Sequence, residues 1–119
     1  MNAPPESPVL STAEIARRLA GELPRWRLEN GFLAREYKTR GWKATLMVVN
    51  AIGYLSETAW HHPDLHASFA RVGVRLQTHD AGGVTEKDFA LARDIEALVA
   101  RRPGNEAGAE DGTCVEPDH

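Results

Sequence analysis

Residues 57–88 read ETAWHHPDLHASFARVGVRLQTHDAGGVTEKD, and this stretch contains the clearest structural pattern of the chain. Over residues 70–79 apolar and polar side chains alternate, which predicts a strand with one buried face. Residues 80–83 then predict a turn. Thr85, with Asp88 three residues later, predicts the capped start of a helix. The residues expected on the buried face of the strand are Val72, Val74, Leu76 and Thr78.

Before this stretch, the sequence predicts a helix and a β-hairpin. The helix is expected near 11–22, where Ser11 and Glu14 form a capping box. A short strand around Trp26 and Leu28 follows. Asn30-Gly31 is then expected to form a two-residue hairpin turn, because both residues tolerate positive φ, and 32–37 is the return strand.

Apolar residues at helical spacing define the expected buried faces of two further helices. One is expected from 42 to about 59, ending near His62-Pro63 because the residue before a proline avoids helical geometry. The last begins at Thr85 and ends near Arg101. The expected buried residues are Trp42, Leu46, Val49, Ile52 and Leu55 in the first of these helices, and Phe89, Ala92, Ile95 and Val99 in the second.

Together these elements predict one α+β domain over 11–102, with helices packed on one face of an antiparallel sheet. Residues 1–10 contain three prolines and are expected to be a flexible N-terminus. Residues 103–119 contain five acidic residues and no Lys or Arg, which predicts a disordered acidic tail. The whole chain has 14 basic and 17 acidic residues, a net charge of −3; without the five acidic residues of the tail the net charge is +2. A nearly neutral domain does not favour nucleic-acid binding.

The composition also bears on location. No apolar run approaches the roughly 20 residues that cross a membrane. The N-terminal sequence lacks the basic and apolar regions of a secretory signal. Cys114 is the single cysteine, so an intramolecular disulfide is excluded. We therefore expect a cytoplasmic protein without membrane contact.

Four of the five histidines, His61, His62, His66 and His79, fall within nineteen residues. Histidine exchanges protons near neutral pH and also binds metals, so the cluster indicates one of these two functions. His62 and His66 are four residues apart, but Pro63 makes a continuous helix through both unfavourable, and no cysteine is near. We therefore do not expect a metal site, which leaves proton transfer.

The central stretch resembles the pterin-4a-carbinolamine dehydratase family. The family signature is an acidic residue, three residues, His-His-Pro, an aromatic residue, and then a distant His and Asp. Seven positions over 32 residues match this signature, and the similarity is strong over 54–99 and weaker back to about residue 12. The matching residues are Glu57, His61, His62, Pro63, Phe69, His79 and Asp88.

The resemblance implies a subunit of order α-β-β-α-β-β-α, in which the residues after Pro63 supply an additional strand. It also implies a homodimer or homotetramer. The family reaction removes water from 4a-hydroxytetrahydropterin and gives quinonoid dihydropterin, which is recycled after aromatic amino-acid hydroxylation. No metal or organic cofactor is implied.

The same resemblance assigns roles to individual residues. His61 and His79 are the expected acid/base pair, and His62 is expected to orient or bind the pterin. His66 matches no catalytic position of the family and is expected to be a surface residue. Glu57 precedes His61 by four residues, so the two side chains pair if the helix extends that far. Other side chains expected near the substrate are Glu57, Trp60, Pro63 and Phe69, although Phe69 also suits the core and Trp60 a partner surface. Thr85 and Asp88 are expected to cap the last helix.

Some residues depart from the usual family pattern. Trp60 stands where Asp or Asn is common, and Thr39, Trp42 and Leu46 replace phenylalanines. The family also has non-catalytic members, among them a Rubisco assembly factor of α-carboxysome bacteria, which makes Rubisco or another protein an alternative partner. The retained histidines favour the enzyme, while a catalytically silent assembly factor stays as the alternative interpretation.

Overall fold

The computed structural model describes residues 8–100 and a two-residue strand further along the chain. The predicted flexible N-terminus (1–10) and acidic tail (103–119) lie mostly outside the described residues. The elements are α1 (Thr12–Glu22), β1 (Arg27–Glu29), β2 (Phe32–Thr39), α2 (Trp42–Ala59), β3 (Asp64–Ser68), β4 (Arg71–Leu76), α3 (Glu86–Ala100) and β5 (Cys114–Val115). The first seven confirm the predicted α-β-β-α-β-β-α order.

The first four strands form an antiparallel sheet of order β1-β2-β4-β3. Asn30 (φ 52°) and Gly31 (φ 85°) both have left-handed backbone conformations, which confirms the predicted hairpin turn between β1 and β2. In the tail, β5 pairs in parallel with Lys38 and Thr39 at the end of β2. The additional strand implied after Pro63 is β3.

The three helices cover one face of the sheet, and the core lies between them and β2 and β4. Val72, Val74 and Leu76 of β4 are fully buried, and Thr78 beyond its end is also buried, as the alternating pattern predicted. The opposite face of the sheet is largely polar. The main core contributions from elsewhere in the chain are Leu33, Tyr37, Ile52, Phe89 and Ile95.

The buried face of α2 differs from the predicted one. Trp42 and Leu46 are exposed, whereas Thr45 and Ser56 are buried. Burial of the two hydroxyl groups is tolerated because both are hydrogen-bonded: Thr45 donates to the Phe69 carbonyl (3.1 Å), and Ser56 donates to the carbonyl one helical turn earlier (2.7 Å). The prediction was wrong because it assigned the largest apolar residues to the core.

One partly buried carboxylate joins α3 to the sheet. Glu96 accepts hydrogen bonds from Arg35 Nε and Nη2 (3.0 and 3.1 Å), Tyr37 Oη (2.7 Å) and Trp26 Nε1 (2.9 Å). Burial alone would raise the pKa of Glu96, but the hydrogen bonds from Arg35 and Tyr37 and the Arg35 charge outweigh it, so this pKa lies below its ordinary value. Burial and the adjacent carboxylate raise the pKa of Tyr37.

Candidate active site

His79 lies just beyond the end of β4, in a tight loop. The backbone of Thr78 pairs with that of Gly83, and the Thr78 amide donates to the Gly83 carbonyl (3.0 Å). Gly82 has φ +77°, a conformation that glycine adopts without steric cost. The loop therefore closes over four residues and leaves the His79 side chain exposed at the end of the sheet.

The N-terminal segment before α1 packs against this loop. The Leu10 amide donates to the Val84 carbonyl (2.8 Å). A Cβ atom added at Gly83 would lie only 2.8 Å from Cγ1 of Val9. A side chain at position 83 would therefore force Val9 to move, and residues 9 and 10 pack against the loop that carries His79.

At the end of α2, the chain turns sharply before the histidine pair. Trp60 adopts the left-handed conformation (φ 54°, ψ 47°), and the His61 amide donates to the Ser56 carbonyl (3.0 Å). The helix therefore stops before His61, and the predicted pairing of Glu57 with His61 was wrong. Instead, Glu57 Oε1 lies 2.9 Å from His62 Nε2.

His61 pairs with Asp88, which was predicted only as a cap of α3. Asp88 is fully buried, and its Oδ1 lies 2.5 Å from His61 Nε2. Its Oδ2 accepts the Thr85 amide (2.9 Å) and the Thr78 hydroxyl (2.7 Å). Because the Lys87 amide donates to Thr85 Oγ1 (3.2 Å), the predicted capping role of Thr85 and Asp88 is also present.

The contacts of Asp88 determine the orientation of the His61 ring. Thr78 has one hydroxyl proton, and it donates this proton in the hydrogen bond to Asp88. The neighbouring Thr85 hydroxyl, 2.8 Å away, therefore donates to Thr78. Asp88 Oδ1 then accepts a proton carried by His61 Nε2. In the neutral imidazole this leaves Nδ1 as the proton acceptor.

All three predicted catalytic histidines, His61, His62 and His79, line one cavity of about 280 Å³, which we call the histidine cavity. Trp60 also lines it, and its ring meets that of His62 edge to face at a centroid distance of 5.0 Å. Gln77, Asp80 and Lys87, which were not predicted as site residues, complete the wall with Thr78. Gln77 could have been found, because it lies two residues before His79 on the same side of the alternating pattern.

Other predicted site residues do not line the cavity. Phe69 lies in the turn before β4, at the opposite end of that strand from His79, and 70% of it is exposed. It is therefore neither a core residue nor part of this cavity. Pro63 and Glu57 are also outside the wall, although Glu57 contacts His62. His66 lies exposed on β3, as predicted for a surface residue.

Two properties of the described part of the chain concern metals and membranes. Within the described residues, no group of three or more His, Cys, Asp or Glu side chains is placed to bind a metal ion. Over the same residues, no helix combines the length and apolar character needed to cross a bilayer.

The fold and the site together define the class of protein: an α+β domain in which three histidines line one cavity. A family model described as pterin 4 alpha carbinolamine dehydratase matches residues 8–98, which is most of the chain. The chain belongs to this family, as its sequence motif predicted.

Individual relatives agree with this assignment. The chain is 48% identical over 90 residues to a protein of Aquifex aeolicus, covering 76% of this chain and 90% of that protein. It is 46% identical over 92 residues to a protein of Chloroflexus aurantiacus, covering 77% and 98%. The names of both relatives assign them provisionally to pterin-4-alpha-carbinolamine dehydratase.

Two solved structures share the fold. A protein of Brucella melitensis described as a transcriptional coactivator/pterin dehydratase aligns with a TM-score of 0.69 and 26% identity, covering 75% of this chain and 96% of that one. A pterin dehydratase-like protein described as a RuBisCO assembly factor of the alpha-carboxysome aligns with a TM-score of 0.51 and 23% identity, covering 62% and 86%. The second similarity shows the fold alone.

Proposed function

We propose that this protein dehydrates 4a-hydroxytetrahydropterin to quinonoid dihydropterin. The observation that supports this most directly is the position of His61 and His79 in the wall of one cavity, with Asp88 orienting the His61 ring. Membership of the dehydratase family agrees with the same reaction. Two imidazoles suit the chemistry because it requires one proton to be delivered and another to be removed near neutral pH.

Two proton transfers accompany the loss of water. The C4a–O bond breaks as the hydroxyl group accepts a proton and leaves as water. The ring nitrogen next to C4a loses its proton, and its electron pair forms the new C=N double bond. One imidazole of the His61 and His79 pair acts as acid and the other as base, so the enzyme needs neither a metal nor an organic cofactor.

Neighbouring residues position the substrate in this proposal. His62 binds the pterin, and Glu57 holds the His62 ring through its hydrogen bond. The Trp60 ring, which is 74% exposed, offers a flat apolar surface at the edge of the cavity. Pro63 fixes the backbone after the histidine pair because its φ is restricted. Phe69 has no place in this site.

We further propose that the reaction takes place in the cytoplasm and serves tetrahydrobiopterin recycling. The alternative, a catalytically silent Rubisco assembly factor, is supported only by a fold shared at 23% identity. The intact set of histidines around the cavity favours the enzyme.

The proposal is tested by stopped-flow measurement of the dehydration of 4a-hydroxytetrahydropterin. We expect the purified protein to accelerate dehydration well above the spontaneous rate. His61→Ala and His79→Ala should each lower kcat by about 100-fold or more, the usual contribution of one acid or base. A folded wild-type protein that does not accelerate the reaction would contradict the proposal and direct attention to protein partners, Rubisco among them.

We also propose that the protein forms a homodimer or a homotetramer. Its support is the solvent side of α2, where Trp42, Leu46, Met47 and Tyr54 are all exposed. Large apolar side chains grouped on one helix are typical of a surface that a partner covers. A second copy of the chain presents the same helix, so the contact can be symmetric.

The assembly is tested by size-exclusion chromatography with light scattering. The wild-type protein should have the mass of a dimer or tetramer, and Leu46→Glu should reduce it, because burying an unpaired carboxylate is unfavourable. Ala16→Glu, on the exposed side of α1, is the control that should keep the wild-type mass. A monomeric wild-type protein would contradict this part of the proposal.

A further inference from the structure

The edge of β2 that faces away from β4 is only partly covered by β1. Strand β1 begins at Arg27, which pairs with Ala34, so the later residues of β2 extend past it. The Thr39 amide donates to the Ala70 carbonyl on the β4 side (2.9 Å). Because the backbone groups of successive strand residues point to opposite edges, those of Lys38 point to the edge that β1 leaves open. An open edge of this kind can accept a further strand.

The described strand of the acidic tail, β5, pairs with this open edge. Its register places Cys114 opposite Lys38 and Val115 opposite Thr39, in the parallel direction. In a parallel pair, a residue bonds through its amide and its carbonyl to the two neighbours of the residue opposite it. The Lys38 carbonyl is therefore placed to accept from the Val115 amide, and the Arg40 amide is placed to donate to the Val115 carbonyl.

The side chains around the open edge carry a concentrated positive charge. Lys38, Arg40 and Lys43 are all exposed, and the six residues from 38 to 43 contain no acidic residue. Arg71 lies directly opposite Lys38 on β4, and like charges at opposed positions of a sheet repel each other. Glu36 offsets the charge of Arg71 in part, at 3.4 Å. An acidic segment at this edge would reduce the remaining repulsion.

The end of α3 brings the tail close to the open edge. Glu96 lies one helical turn before Ala100, the last residue of α3, and its carboxylate accepts from Tyr37 Oη (2.7 Å). Tyr37 is the residue of β2 just before Lys38, so α3 ends near the open part of the edge. The residues from 101 to 113 can span about 40 Å when extended. This length allows β5 to pair with the β2 of its own chain.

We propose that the open edge of β2 is a docking site for the acidic tail of the same chain, which pairs there as β5 and covers the edge. Residues 103–119 contain five acidic residues and no Lys or Arg, so the charge of the tail is complementary to that of the edge. Asp111 and Glu116 are the acidic residues closest in sequence to β5 on either side. Docking satisfies the Lys38 backbone and prevents the edge from pairing with other chains. Lys38 does not line the histidine cavity, so the docking does not depend on the proposed reaction.

Hydrogen exchange measured by NMR on the full-length protein tests the backbone pairing. Val115→Pro removes the amide that is placed to bond the Lys38 carbonyl. We expect the protection of the Lys38 and Arg40 amides to fall about three- to tenfold, the usual contribution of one hydrogen bond. The Thr39 amide should keep its protection, because its acceptor is the Ala70 carbonyl.

Ala107→Pro is the matched control, because it places a proline in the tail seven residues before β5. It should leave the exchange of the Lys38 and Arg40 amides at the wild-type rate. Unchanged exchange of these amides in Val115→Pro, or an equal loss of protection in both proline variants, would overturn the inference.

The charge complementarity has its own test by the same measurement. Asp111→Lys/Glu116→Lys should lower the protection of the Lys38 and Arg40 amides about threefold or more, because it places positive charge beside a basic edge. Raising the NaCl concentration from about 50 mM to about 500 mM should lower the wild-type protection in the same direction. Protection that responds to neither change would overturn the electrostatic part of the docking.

A mixing experiment identifies the chain that supplies the tail. Val115→Pro labelled with 15N is unfolded and refolded together with an excess of unlabelled wild-type protein. We expect the Lys38 amide of the labelled chain to stay unprotected, because each wild-type tail occupies the edge of its own chain. Recovery of its protection would overturn docking within one chain and identify the tail of a second copy as the occupant.

Discussion

At the scale of single residues, Asp88 links the structure of α3 to the chemistry of the site. One carboxylate oxygen caps the helix through the Thr85 amide, and the other binds His61 Nε2. A carboxylate can do both because it has two oxygens that only accept hydrogen bonds. The orientation of the His61 ring therefore depends on the same residue that starts the helix.

Asp88→Asn tests this dual role. The amide has one acceptor oxygen in place of two, so it satisfies either the cap or His61. We expect kcat of Asp88→Asn to fall by about 100-fold or more, as when the orienting carboxylate of another catalytic histidine is replaced. Stopped-flow dehydration measures kcat, and urea unfolding measures stability.

Thr85→Ala is the matched control for this prediction. It removes the capping hydroxyl and should lower the free energy of unfolding by about 1 kcal/mol, but it retains the carboxylate that binds His61. Its kcat should fall much less than that of Asp88→Asn. Equal losses of kcat in the two variants would show that Asp88 acts through helix stability alone.

The sequence predicted the three histidines of the site but not the partners of two of them. The error arose at Trp60, whose left-handed backbone ends α2 one residue before the histidine pair. A helix that continued to His61 would have placed that ring four residues from Glu57 on one face. Because a bulky residue seldom adopts positive φ, no local pattern predicted this turn. The bond between His61 and Asp88 spans 27 residues and depends on tertiary packing.

At the scale of elements, the N-terminal segment and the 78–83 loop form one unit. Val9 covers Gly83, and the Leu10 amide is bonded to the next residue, Val84. Both contacts lie within a few residues of His79. We therefore expect the packing of this segment to influence the position of the loop that carries His79.

Gly83→Ala tests the close packing of the segment. The new methyl group would lie 2.8 Å from Val9 Cγ1, which is closer than two carbon atoms can approach. We expect the free energy of unfolding to fall by about 1 kcal/mol or more in urea titrations.

The double variant Val9→Ala/Gly83→Ala provides the control, because shortening Val9 removes the clash. Relative to Val9→Ala alone, the added cost of Gly83→Ala should nearly disappear, which appears as a coupling energy in a double-mutant cycle. Additive effects of the two substitutions would mean that Gly83 is required for a reason other than contact with Val9.

Helix α2 shows what hydrophobic spacing predicts and what it does not. The existence and the end points of the helix followed from its apolar periodicity and from Pro63. Its orientation did not, because both sides of α2 carry apolar residues, and the core side also contains Thr45 and Ser56. Hydrogen bonds that satisfy these hydroxyls form only in the folded protein. The exposed tryptophan and leucine are then available for assembly.

At the scale of the whole molecule, the Glu96 network connects the two layers of the fold. Glu96 belongs to α3, whereas its partners Arg35 and Tyr37 belong to β2 and Trp26 precedes β1. The Arg35 side chain is almost fully buried, so its charge requires the carboxylate partner. The ion pair between Arg35 and Glu96 thus connects α3 to the sheet.

The lowered pKa of Glu96 makes a prediction about acid stability. Since the pKa in the folded state lies below that in the unfolded state, the folded protein binds this proton less readily. The resulting stabilisation is fully present above the unfolded pKa of about 4.3, and it is lost as pH falls through the folded value. Urea titrations between neutral pH and pH 3 measure this loss.

Glu96→Gln removes the titrating group and is the comparison for this prediction. The variant should be less stable at neutral pH by about 3 kcal/mol, because it removes the negative charge that pairs with the buried Arg35 guanidinium. Its stability should also decline less steeply in acid than that of the wild-type protein. Parallel pH profiles for the two proteins would contradict the assignment of acid sensitivity to Glu96.

The overall architecture was predictable from sequence, since the hairpin turn, the alternating strand and the capped helices are local signals. The Asn30-Gly31 turn and the burial pattern of β4 appear in the structure as the sequence indicated. The position of β3 came from resemblance, because the alternation in DLHAS rests on only two apolar residues, Leu65 and Ala67, which is too short a pattern to predict a strand by itself. The Glu96 network joins residues about 60 to 70 positions apart and carries no local signal.

The most direct test of the central claim is the dehydration rate of the double variant His61→Ala/His79→Ala at saturating 4a-hydroxytetrahydropterin. His66→Ala is the matched control, since that histidine is exposed on β3 and outside the histidine cavity. We predict the spontaneous rate for the double variant and wild-type activity for the control. The double variant should remain folded but be less stable, because buried Asp88 loses its bond to His61. Full activity in the folded double variant would contradict the assignment of His61 and His79 as the acid/base pair.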